Sequence, residues 1–62
     1  MERITMNKNS KKYGFSKGDK FPVLRTIMMD CVVIRQPNAT NIVWSERMAR
    51  NYGTLSGVPQ LG

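Results

Sequence analysis

The chain has 62 residues and a mass of 7.1 kDa, with ten Lys and Arg against four Asp and Glu, no His and one Cys, for a formal net charge of +6. Without His there is no side chain that titrates near neutrality unperturbed, and one Cys builds neither a disulfide framework nor a tetrahedral metal site. The balance therefore points away from catalysis and cofactors and toward binding, with polyanions the default partner class for so basic a domain.

A chain this short forms one domain, which buries only about 60% of the surface its unfolded form exposes. A single Cys suits the reducing cytoplasm, and a host cytoplasm if the source is viral. The opening MERITMNKNSKKYG contains no signal-peptide core, and no stretch approaches the roughly 20 apolar residues that span a bilayer, so no membrane partner is expected. Asn38-Ala39-Thr40 fits a glycosylation acceptor formally and reads better as a polar turn.

In chain order, residues 1–15 read as a flexible basic arm. Residues 7–20, NKNSKKYGFSKGDK, hold Lys8, Lys11, Lys12, Lys17 and Lys20, with Tyr13 and Phe15 the only side chains suited to a core. The β region then begins. Phe21–Arg25 (FPVLR) and Ile27–Arg35 (IMMDCVVIR) are rich in β-branched and aromatic residues, and Pro22 confines the first strand's start to an edge or a bulge. In the second strand Ile27, Met29, Cys31 and Val33 share a wholly apolar face, with Met28, Asp30, Val32 and Ile34 opposite; Asp30 marks a rim or a bend. Gln36-Pro37-Asn38-Ala39 predicts a turn and a hairpin into Thr40–Trp44. Ser45 is placed to cap a helix of about two turns that Glu46 favours and Gly53 ends, with Met48 and Tyr52 facing inward. A short strand over Thr54–Val58 precedes a tail at 59–62.

The expected core is Phe21, Val23, Met29, Cys31, Val33, Ile42, Trp44 and Met48. The order of strand, long strand, turn, strand, helical turn and short strand resembles a small SH3-like barrel over residues 16–58. Lys17-Gly18-Asp19-Lys20-Phe21-Pro22-Val23 is similar to the turn and first strand of KOW-type barrels. The resemblance implies a mostly β binding module, a strongly bent antiparallel sheet or barrel that hosts ribosomal, DNA-binding or peptide-binding roles, and fold alone does not choose among them. The competing architecture is an α+β miniature with a longer helix over residues 44–53 on a three-stranded sheet.

Cys31, mid-strand with no His, reads as a small core side chain, and Asp19, Asp30 and Glu46 as solvated or ion-paired carboxylates on separate elements. Binding is best placed on Lys8, Lys11, Lys12, Lys17 and Lys20 with Tyr13 and Phe15 interleaved, where cations track phosphates and rings stack bases. The plainer reading is a solubilising terminus stapled down by its two rings. Arg47 and Arg50 on one helical face, near Arg25 or Arg35, form a second basic group; the alternative for them is an exposed face balancing Glu46. DNA or RNA is thus the first expected partner. The rival is an acidic host protein surface, gripped by a small effector from a virus or mobile element through Met28, Val32 and Ile34. Homo-oligomers are compatible with either.

Overall fold

In the computed structural model, residues 1–25, 30–37 and 40–59 are described. Five antiparallel strands form one unclosed sheet: β1 (Glu2–Met6), β2 (Lys20–Arg25), β3 (Cys31–Arg35), β4 (Asn41–Ser45) and β5 (Gly53–Ser56). A helix, α1 (Glu46–Tyr52), joins β4 to β5, and the order across the sheet is β4-β3-β2-β1-β5. The molecule is mostly β. The expected sites of Ile27, Met28, Met29, Asn38 and Ala39 lie outside the described residues.

The first correction concerns the N-terminus. Residues 2–6 are not arm but a strand flanked on both sides, paired with β2 through Ile4↔Phe21 and with β5 through Ile4↔Leu55. Ile4 and Met6 are 0% and 1% exposed, at the centre of the core. ERITM does alternate, but one of its inward positions is the charged Glu2, which hides the period of two.

Residues 7–19 form a tied-down excursion between β1 and β2 instead of a flexible arm. Ser10 and Phe15 form an isolated bridge, and Tyr13 N–H donates to Ser10 Oγ at 3.1 Å. Lys17 N–H donates to Asn9 Oδ1 and Ser16 N–H to Asp19 Oδ2, each at 2.8 Å. The excursion closes where Met6 N–H donates to Asp19 O and Gly18 N–H to Met6 O. Gly18 has φ +93°, which a side chain would strain, so the Gly-Asp turn before β2 forms where it was read.

The second correction concerns β3. Val32 and Ile34 are fully buried, while Cys31 and Val33 are half-buried on the outer face, the reverse of the expected parity. Both faces of the segment are apolar, so periodicity cannot choose between them. The choice is made by pairing: Val23↔Ile34 and Val32↔Trp44 put those side chains on one side of the sheet, and a slip of one residue would invert all of them.

The second half of the chain follows its local signals. The β3–β4 hairpin is closed by Gln36 N–H donating to Thr40 O. Ser45 Oγ accepts from Met48 N–H, Glu46 sits in the first helical turn, and Gly53 N–H donates to Ala49 O. Ala49 is the fully buried residue of α1, with Met48 and Tyr52 packed partly against the core. At Gly53 a Cβ would stand 2.6 Å from Thr5 O and 2.7 Å from Ile4 Cγ1, so the glycine admits the close approach of β5 to β1.

Because β1 supplies the middle of the core, removing residues 1–6 is expected to abolish the cooperative urea transition. A truncated chain that still unfolds cooperatively, with unchanged far-ultraviolet circular dichroism, would contradict this placement.

Candidate nucleic-acid interface

Four rings meet where the excursion lies against α1 and the end of β4. Trp44, 5% exposed, stacks on Tyr52 with centroids 4.7 Å apart and meets Tyr13 edge to face at 5.1 Å. Tyr13 and Tyr52 are themselves edge to face at 5.9 Å. Phe15 is 4% exposed, with Trp44 and Tyr52 edge-on to it at 6.1 and 5.8 Å. The interleaved aromatics thus divide: Phe15 belongs to the core and has no face for a base, while Tyr13 and Tyr52 are half-buried. Trp44 Nε1 is buried without a hydrogen-bond partner among the described residues.

Two of the lysines lie over this cluster. Lys8 Nζ lies 5.3 Å from the centroid of Tyr52, and Lys12 Nζ 5.4 Å from that of Tyr13, both within cation–π range. Lys8, Lys11, Lys12, Lys17 and Lys20 are all exposed, and none pairs with a carboxylate among the described residues.

The second basic group is divided by the carboxylates. Arg25 Nε and Nη2 donate to Glu2 Oε1 and Oε2 at 2.7 and 2.8 Å, and Arg25 Nη1 donates to Glu46 Oε1. Arg50 Nη2 lies 3.7 Å from Glu46 Oε2 on the helix surface. Arg25 is therefore an internal clamp between β1, β2 and α1, not a contact offered to a partner. Its guanidinium is held still further above the ordinary arginine value, by the hydrogen bonds to Glu2 first and Glu46 second. The Glu46 carboxyl is held below its ordinary range by the same bond. Arg35 and Arg47 are exposed, Arg35 on the outer face of β3.

The sequence reading missed two contributors. Tyr52, which the helical spacing turns inward, also forms half of the ring platform. Arg3 projects from the outer face of β1 in register with Pro22, next to Lys20 on β2; its signal, alternation with the buried Ile4, lay in a segment read as arm. Among the described residues no three Cys, Asp or Glu converge as metal ligands would, and no helix is long and apolar enough to cross a membrane.

Comparison with known proteins gave no match to a protein-family model, to a curated protein or to a solved structure.

Two predictions follow from the clamp. Arg25→Met leaves the buried Glu2 carboxylate without its partner and should cost about 3–5 kcal/mol in urea unfolding, while Arg25→Met with Glu2→Leu should recover most of the loss. The second concerns pH. Because the Glu46 carboxyl is depressed in the folded state, its contribution is complete above the ordinary value of 4.5 and is lost as pH falls through the folded value. The stability gap between the parent chain and Glu46→Gln should be constant from neutrality to about pH 5 and then close on acidification; a gap independent of pH would remove the pair from the account.

Proposed function

We propose that this domain binds single-stranded or irregular nucleic acid through the Tyr13–Tyr52 platform and the lysines around it, as a binding module and not an enzyme. The observation that carries the reading is the placement of Lys8 and Lys12 over the faces of two half-buried tyrosines backed by Trp44. A base that stacks on either ring displaces an ammonium whose four-carbon stem still reaches the adjacent phosphate. Stacking and charge neutralisation then act on one nucleotide.

Charge supports the same reading. Of the ten basic and four acidic residues, the Arg25–Glu2–Glu46–Arg50 network takes two of each, which leaves eight basic against two acidic. One of the remaining acids, Asp19, has an oxygen committed to its own turn. For the fold, the helix between the last two strands and the pairing of the last strand with the first support the SH3-like resemblance.

One observation favours a protein partner instead. Val32 and Ile34 are buried and cannot serve it, but Leu24, Val33 and Val43 lie in register on the outer face, with Val43 62% exposed.

The deciding measurement is fluorescence anisotropy of mixed-sequence single-stranded DNA and RNA across a salt series. About four phosphate contacts on a single strand give a log–log slope near −3, hence roughly a fiftyfold loss of affinity between 50 and 200 mM salt. Lys8→Ala with Lys12→Ala should flatten that slope by about 1.4, because each lost contact on a single strand removes about 0.7. Absence of binding at 50 mM salt, with a partner that survives nuclease treatment, would transfer the function to the outer apolar row.

A further inference from the structure

A cleft of about 500 Å³ opens between the excursion and the β3–β4 hairpin, lined by Gly14, Asp19, Lys20, Phe21, Gln36 and Pro37. A smaller one of about 280 Å³ adjoins it along Lys20 and Phe21 and is lined also by Met1, Arg3 and Pro22. We propose that this double cleft is a nucleotide-binding track of its own, taking one unstacked base of a single strand between Gly14 and Pro37, with its flanking phosphates on Lys20 and Arg3. This rests on the nucleic-acid reading above and names the form of the ligand.

The first cleft falls within the range of small-ligand sites, which combine apolar walls with a few convergent polar groups. Phe21 and Pro37 supply the apolar surface. Gly14, at φ +81°, presents bare backbone with open space where a Cβ would be, so nothing narrows that wall. Gln36 is 8% exposed, and its Nε2 donates to Tyr13 O at 3.0 Å. The same bond ties the cleft's lining to the residue before Gly14, whose ring forms the Tyr13 half of the platform. A strand leaving the ring of Tyr13 meets the cleft at the next residue.

Asp19 sets the kind of base. Its Oδ2 accepts from Ser16 N–H, which fixes the carboxylate of this lining residue and leaves Oδ1 as an acceptor among the described residues. An acceptor there suits an exocyclic amine, as on cytosine, and repels the carbonyl that uracil or thymine carries at the corresponding position. Paired bases cannot enter, because a base must leave its stack to be inserted between Gly14 and Pro37.

The test uses the full chain at 50 mM salt with labelled oligo(C), oligo(U) and a mixed-sequence duplex of equal length. Expected are tighter binding of single strand than duplex and a preference of about three- to tenfold for oligo(C) over oligo(U), the value of one hydrogen bond. Asp19→Asn keeps an acceptor for Ser16 N–H and turns an amide donor toward the cleft, so the preference should vanish or invert. In amide-resolved NMR, cytidine 5′-monophosphate should shift Gly14, Lys20 and the Gln36 side chain, whereas inorganic phosphate should leave Gly14 and Gln36 in place. Equal affinity for oligo(C) and oligo(U), or shifts confined to Lys8–Lys12 and Tyr52, would overturn the cleft and leave the platform reading standing. If no oligonucleotide binds, both fall together.

Discussion

The guanidinium of Arg25 holds three separate elements in one geometry. It lies at the end of β2, takes both oxygens of Glu2 on β1, and reaches Glu46 in the first turn of α1. A domain of this size has little apolar area with which to fix where a helix sits. One planar, permanently charged fork fixes it here with directional bonds. The buried Glu2 carboxylate is tolerable only because Arg25 faces it, and Arg25 stands where it does because β1 and β2 pair with Glu2 opposite Val23. Docking α1 in turn delivers Tyr52 to the ring cluster.

That arrangement also divides the cations by task. Arg25 and Arg50 sit in the frame, in the clamp and on the helix beside it, while Lys8, Lys11, Lys12 and Lys17 cover the excursion. The division follows their chemistry: the guanidinium fork suits fixed pairing, and the ammonium on a flexible stem suits a polymer whose phosphates take many positions. Internal pairing removes as much negative as positive charge, so the excursion carries its field almost uncompensated.

Legibility in the sequence tracked how local the determining interaction is. The Ser45 cap, the Gly53 terminus, the Gly18-Asp19 turn and the hairpin through Pro37 are set within a few residues, and each forms where it was expected. The parity of β3 and the existence of β1 are set by partners distant in sequence. IMMDCVVIR is apolar on both faces until β2 chooses one. ERITM looks polar until Arg25 explains Glu2. The candidate site shows the same limit: its lysines were visible as composition, but which rings face out depends on how the excursion folds back on Trp44, and Arg3 joins Lys20 only through β1–β2 register.

The pairing of β1 with β5 brings together segments some fifty residues apart, Arg3 with Ser56 and Met6 with Gly53. Loop closure over that span comes late, since its entropy must be met before the contacts it permits can reward it. Until then β1 presents an open ladder edge beside Ile4 and Met6, the kind of edge that recruits strands from other chains. Nascent or nicked chains lacking β5 would share that exposure, and Gly53, by letting the last strand seat flush against Thr5, is what ends it. The lysine-rich segment that follows β1 in the chain carries like charge in every copy, so the residues proposed to attract nucleic acid would also keep unfinished copies of the protein apart.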